Sequence, residues 1–189
     1  MTDSTDPRLS RRPAAPWPAA ALAVFWLAGC TTTTAPLPSA APDAEVRLAP
    51  TTGSQVHASV AFRQQPGQRI AVDVQATGLK PNQEHGFHVH EKGDCNSPDG
   101  SSAGGHFDPT AQPHGPQDTA HHGGDMPSLK ADATGNADVT FLIAGTVRSG
   151  AATDLLGRAV IIHAQPDDYT TQPTGNSGAR LACGVIGTP

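Results

Sequence analysis

Aromatic side chains are scarce: five Phe, two Trp and one Tyr among 189 residues, with Trp17 and Trp26 both inside the first 30. No amphipathic helical repeat of three turns is visible, which argues against a helical bundle. No run of 18 or more apolar residues occurs, which leaves no candidate transmembrane helix. Basic residues are few and scattered, 12 against 17 acidic. Without a Lys/Arg run or basic patch, no nucleic acid partner is expected. Cysteine is limited to Cys30, Cys95 and Cys183. What is plentiful is Gly (20), Pro (18) and His (9). Frequent turn formers favour short strands joined by turns and long loops.

Residues 1–29 read as a lipoprotein signal peptide. Arg8, Arg11 and Arg12 precede a short apolar run over 19–27, and Ala28-Gly29-Cys30 follows. Leu27-Ala28-Gly29-Cys30 resembles the bacterial lipobox, in which the cysteine becomes the lipid-bearing first residue of the mature chain. Ser10-Arg11-Arg12 also permits a twin-arginine reading, which Pro13 and the short apolar run weaken. Residues 30–43 are then the lipidated Cys30 and a Thr/Pro/Ala-rich tether without periodicity. Thr31 after the cysteine resembles outer-membrane sorting. The expected location is the cell envelope, at the outer membrane through lipid on Cys30, facing the periplasm. Residues 44–189 form the folded domain.

Removing three Arg and two Asp with the signal from 12 basic and 17 acidic residues leaves a formal net charge of −6. An anionic substrate must therefore be drawn in by local positive groups. Once Cys30 is assigned to lipid, two cysteines remain in an exported domain, which suggests a Cys95–Cys183 disulfide. Closing so long a loop is worth about 4–5 kcal/mol at the upper end of the chain-entropy estimate.

Within the domain, Glu45–Ala49 and Gln55–Phe62 read as opening strands, the second with unsettled register. Ile70, Val72 and Val74 alternate with polar partners, a half-buried strand. Residues 129–133 and 137–143 read as a hairpin around Thr134-Gly135-Asn136, with Val139, Phe141 and Ile143 inward. Residues 158–164 and 181–186 supply further strands. Residues 92–127 and 165–180 lack apolar periodicity, and loops of this length in a compact domain are usually functional. The expected fold class is all-β, a Greek-key β-sandwich or flattened eight-stranded barrel with two long functional loops.

Gly86-Phe87-His88-Val89-His90-Glu91 carries the chemistry. In an extended segment His88 and His90 share one face, about 7 Å apart, while Phe87 and Val89 face a core. Two such imidazoles can converge on one metal ion. His106, His114, His121-His122 and His163 lie elsewhere, most of them in the first long loop, with Asp125 three residues after His122. Many imidazoles, one carboxylate and no thiolate suit zinc or copper and not calcium or an iron–sulfur cluster. His57 is expected to be exposed. His85 is expected at the surface, with a role behind the site as the alternative.

Five segments carry a resemblance: Gly86 to Glu91; Gly93-Asp94-Cys95; Ala103-Gly104-Gly105-His106-Phe107-Asp108-Pro109; His122-Gly123-Gly124-Asp125; and 175–187, Gly-Asn-Ser-Gly-Ala-Arg-Leu-Ala-Cys-Gly-Val-Ile-Gly. In this order, over about residues 45–187, the chain resembles a copper–zinc superoxide dismutase of the bacterial exported lipoprotein type. The resemblance implies one copper and one zinc per subunit, with superoxide as substrate, dismuted to oxygen and hydrogen peroxide, to protect the envelope. It implies copper ligands His88, His90, His106 and His163, and zinc ligands His106, His114, His122 and Asp125. His122 is preferred to its competitor His121 by the family spacing to the aspartate. It further implies that Asp167 joins the two sites through hydrogen bonds, that Arg180 stands beside the copper, and that Cys95 and Cys183 form the disulfide. His106 and Arg180 are the implied catalytic pair: a shared imidazole that can take up and return a proton, and a fixed cationic fork for an anion.

The chain departs from the family in two respects. Residues 169–179 hold no Lys or Glu, where eukaryotic members carry steering charges, so Lys92, Lys130 and Arg180 are the remaining sources. The mature domain has no Trp, whereas the family's bacterial homodimers use aromatic contacts; monomer and homodimer both stay open. The rival reading is a dismutase-like lipoprotein that binds copper or zinc without turnover. A third is a surface lipoprotein with zinc as a structural staple, which leaves the copper set unexplained.

Overall fold

The computed structural model describes residues 41–148 and 150–189. The signal expected over 1–29, Cys30 and all but the last three residues of the tether expected over 30–43 lie outside the described residues.

Alternation dictates the main sheet. In β1 (Ala44–Pro50), β2 (His57–Gln65), β3 (Arg69–Thr77) and β7 (Ala137–Ala144) every second residue turns inward. Val46 pairs with Val60, Val60 with Val74 and Val74 with Val139, a β-branched row across four antiparallel strands. The register left unsettled over 55–62 is resolved: Val56, Ala58, Val60 and Phe62 are all buried.

β5 (Phe87–His90), β8 (Ala159–His163) and β9 (Arg180–Val185) complete the sheet in the order β5-β8-β9-β1-β2-β3-β7. β1 joins its two halves, pairing with β2 along Ala44–Leu48 and with β9 at Ala49 and Pro50. The chain crosses from β3 to β5 at the far end of the sheet and returns from β7, beside β3, to β8, beside β5. These are Greek-key crossings in an all-β fold. Phe87 of β5 meets Phe141 of β7 edge to face at 6.3 Å, so the two ends of the sheet approach across one core. Helix among the described residues is confined to a single 3-10 turn, Ser101–Ala103.

One expected element pairs differently. Residues 129–130 do not form a hairpin with 137–143. β6 (Leu129–Lys130) pairs with β4 (Glu84–His85), and β7 pairs with β3. The turn itself closes, with Asp132 N–H donating to Asn136 O at 2.7 Å and Asp132 Oδ1 accepting from Thr134 and Asn136 N–H. Beyond it the two flanks join different partners. Counting β4 and β5 as one strand interrupted at Gly86 gives eight strands.

All four residues of β5 are buried because the first long loop covers the histidine face. Phe107 N–H donates to Val89 O at 2.9 Å and Val89 N–H to Gly124 O at 2.8 Å, so the loop runs along the strand's open edge. Gly124 is required there: a Cβ would strike the Val89 carbonyl. Beneath that face, Ala103, Ala159, Ile161 and Cys183 form a small second core, with Cys95 packed against it. Cys95 and Cys183 are disulfide-bonded and tie the loop to β9.

Candidate metal centre

His88, His90, His106 and His163 are buried together, each with one ring nitrogen within 4.8 Å of the others. β5 supplies the first two, the loop beside it His106, and the end of β8 His163. Their hydrogen bonds fix which nitrogen carries the proton. His90 Nδ1–H donates to Gly104 O at 2.9 Å, and His163 Nδ1–H to Gly178 O at 3.2 Å. Their Nε2 lone pairs then face each other at 3.3 Å with no proton between. His88 Nε2–H donates to Asp167 Oδ2 at 2.6 Å, leaving His88 Nδ1 buried without a partner; His106 Nε2 is also buried without one. Four inward-facing imidazole acceptors repel one another and fit a cation, and this donor set suits copper.

A second cluster uses the other side of His106. The Nδ1 atoms of His106, His114 and His122 lie 2.8, 2.9 and 3.3 Å from Asp125 Oδ1. Asp125 Oδ2 is occupied by the N–H groups of Gly115 and His122, so Oδ1 is the atom it presents. Three imidazoles and one carboxylate oxygen match the preferences of zinc. His121 stands apart, its Nδ1–H donating to His122 O at 2.7 Å.

Asp167 links the two clusters, with Oδ2 on His88 and Oδ1 on His114 Nε2 at 2.8 Å. Such partners fix ring orientation and basicity. Gly175, at φ +62°, lies against this carboxylate, and a Cβ there would collide with Asp167 Oδ1 and His114 Nε2. Burial opposes ionisation of both aspartates, but hydrogen bonds from His106 and His114 to Asp125, and from His114 and His88 to Asp167, outweigh it and hold both below the usual carboxylate range. Burial also lowers His88, and holds His90 and His163 well below 6.5, keeping their lone pairs free.

Arg180 reaches the same region from β9. Its Nη1 donates to Gly100 O and its Nη2 to Gly104 O, both at 2.6 Å. Lys130 is exposed and paired with Glu84 at 3.3 Å, and Lys92 is exposed.

His85 corrects the surface expectation: it is 1% exposed. Its Nδ1–H donates to His163 O at 2.8 Å, and Gly86 O accepts from His163 N–H at 2.8 Å. The His163 N–H bond to Gly86 O continues the β5–β8 register beyond Phe87 and Ile162, but Gly86 N–H donates to Gln165 O at 2.8 Å, which leaves the His163 carbonyl to His85. The signal was available. Positions 85, 87 and 89 share one face of an extended strand, which puts His85 with Phe87 and Val89. His57 is exposed on β2, as expected.

The family model for copper/zinc superoxide dismutase matches residues 56–186. A superoxide dismutase-like protein, YojM, of Bacillus subtilis is 39% identical over 132 residues, 67% of each chain. A copper–zinc superoxide dismutase of Aquifex aeolicus is 43% identical over 62% of this chain and 71% of its own length. One of Deinococcus radiodurans is 40% identical over 64% and 70%. The crystal structure of a SOD-like protein from Bacillus subtilis superimposes with a TM-score of 0.68 at 38% identity, over 75% of this chain and 96% of that one. The match across most of the folded domain, with relatives near 40% identity on the same fold, establishes that this chain belongs to the copper/zinc superoxide dismutase family.

Proposed function

We propose that this chain is an active copper–zinc superoxide dismutase of the cell envelope. Two superoxide ions and two protons become one dioxygen and one hydrogen peroxide. The observation that carries the reading is the shared His106, whose Nε2 faces the first cluster and whose Nδ1 faces the second. His88, His90, His106 and His163 would hold copper; His106, His114, His122 and Asp125 would hold zinc. Copper, when bound, supplies a one-electron couple that oxidises one superoxide and reduces the next. The residues do the rest. Arg180 offers fixed positive charge to the anion against a negative domain. His106 Nε2, buried with no protein partner, can hold a proton and deliver it to the product. Asp167 keeps His88 and His114 oriented.

The rival is a dismutase-like copper- and zinc-binding protein without turnover, since a relative carries a dismutase-like name. The complete set of seven clustered side chains together with Arg180 favours the enzyme. Metal analysis and a dismutation assay on purified, metal-loaded protein decide between them: two bound metals with no rate above free buffer would leave the rival.

The lipoprotein reading rests on Leu27-Ala28-Gly29-Cys30. It places the mature chain on the outer membrane through Cys30, facing the periplasm. Mass analysis of the mature N-terminus should find a diacylglyceryl-modified Cys30, and Cys30→Ser should abolish membrane fractionation. A soluble, unmodified wild-type N-terminus refutes it.

A further inference from the structure

Gln172 lies on the exposed tip of the second long loop, yet its side-chain amide grips the backbone of a buried histidine. Its Oε1 accepts from His114 N–H at 2.8 Å, and its Nε2 donates to His114 O at 2.9 Å. Among the described residues these are the partners of both His114 backbone groups. The local sequence explains the need. Pro113 and Pro116 flank His114 and remove two backbone donors, and the segment lies outside every strand. The amide of Gln172 replaces the missing neighbour, two bonds in opposite directions as in an antiparallel pair.

The platform behind Gln172 is itself tied down. Asp168 Oδ1 accepts from Thr170 and Thr171 N–H at 2.9 and 2.8 Å, and Gly175 N–H donates to Thr171 O at 2.7 Å. From the same loop Asp167 Oδ1 holds His114 Nε2 at 2.8 Å. One loop thus fixes His114 at its amide, its carbonyl and its far ring nitrogen. Only Nδ1 is left, and it faces Asp125 Oδ1 at 2.9 Å.

We propose that Gln172 is a positioning residue for the second metal: by clamping the His114 backbone it sets where Nδ1 stands and so how firmly zinc is held. This rests on the reading of His106, His114, His122 and Asp125 as a zinc site. Asp167 orients the ring, and Gln172 fixes the chain from which the ring projects.

The test uses full-length mature protein loaded with copper and zinc, and follows zinc transfer to a chromophoric chelator. Gln172→Ala should release zinc about tenfold faster, in the range seen when groups behind metal ligands are removed. Gln172→Glu keeps an acceptor for His114 N–H but loses the donor to His114 O, and should fall between Ala and wild type. With Co(II) in place of zinc, the visible bands should shift in Gln172→Ala, because His114 moves relative to Asp125. Wild-type release and unshifted Co(II) bands in Gln172→Ala overturn the proposal. So does a loss that is equal in Ala and Glu and matched by an equal fall in thermal stability without metal, since that describes loop folding alone. If the wild-type protein takes up no zinc, the zinc-site reading itself fails and carries this inference with it.

Discussion

His90 and Arg180 end on the same oxygen atom. The Gly104 carbonyl accepts from His90 Nδ1 at 2.9 Å and from Arg180 Nη2 at 2.6 Å. An imidazole of the first cluster and the guanidinium therefore keep a fixed separation, set by one peptide group on the covering loop. The Gly100 carbonyl takes the other arm of the fork, which removes the remaining rotation about the guanidinium.

The first prediction follows from that fixed charge. Arg180 belongs to neither cluster, so Arg180→Ile should leave copper and zinc content intact. It should lower kcat/KM for superoxide at least about tenfold, a loss of about 1.4 kcal/mol of transition-state stabilisation. Arg180→Lys should retain more, since charge survives while the fork is lost. The dependence of rate on ionic strength should flatten in the Ile variant. Full turnover by a metal-replete Ile variant would remove Arg180 as the anion guide and turn attention to Lys92 and Lys130.

His85 supplies the second prediction. His85→Ala leaves the His163 carbonyl without its donor and opens a cavity in a packed region, a loss of about 2–4 kcal/mol. Copper should then bind more weakly than zinc relative to wild type, because His163 belongs to the first cluster alone. His85→Gln, which can still donate to a carbonyl, should recover part of both. Denaturant unfolding and competitive metal titration read the two effects separately. Equal weakening of both metals would show that His85 supports the fold without favouring His163.

The reach of the sequence can be judged from these residues. His88 and His90 were legible from strand parity, and His106, His114, His122, His163 and Asp125 as a ligand set through the resemblance to copper–zinc superoxide dismutases; the structure gathers all seven. Strand alternation was legible wherever one face is buried, as in β3. The hairpin at 129–143 was misread because a closed turn says nothing about which partner each flank takes next. His85 defied the surface expectation because its burial follows from parity with Phe87 across the break at Gly86, which composition does not mark. Gln172 carried no signal at all: its role depends on a loop tip meeting a segment 58 residues away.

The disulfide gives the third prediction. Cys95 and Cys183 are 88 residues apart, and the loop they tie down contains both carbonyls that hold Arg180. Replacing both by Ser should cost up to about 4–5 kcal/mol through the unfolded chain. Activity should fall further than metal content, since the clusters keep their ligands while Gly100 and Gly104 loosen. Non-reducing peptide mapping should find Cys95 joined to Cys183 in the native protein. Free thiols at both positions, or a double-Ser variant with unchanged stability, would count against this account.

The last prediction concerns the metal-free protein, whose stability should peak near neutral pH and fall on both sides. Burial lowers His88, holds His90 and His163 well below 6.5, and lowers His106 to about 4 despite Asp125. Below about 6.5 the unfolded chain binds protons at these positions that the folded chain refuses. The stability they contribute is present above that pH and is lost as pH falls toward 4. Asp125 and Asp167, held below the usual carboxylate range, extend the loss at still lower pH. His114 has the opposite sign. Burial would lower it, but its bonds to Asp125 and Asp167 prevail and raise it to about 9. Its contribution is complete below about 6.5 and disappears as pH rises through 9. Four histidines act on the acid side and one on the alkaline side, so the acid limb should be the steeper. Zinc requires the His114 Nδ1 lone pair and displaces that proton, so the alkaline limb from His114 should be absent once zinc is bound. Denaturant midpoints from pH 4 to 10, with and without zinc, test both limbs; a metal-free protein whose stability rises between pH 7 and 9 would show that His114 is not held protonated between the two aspartates.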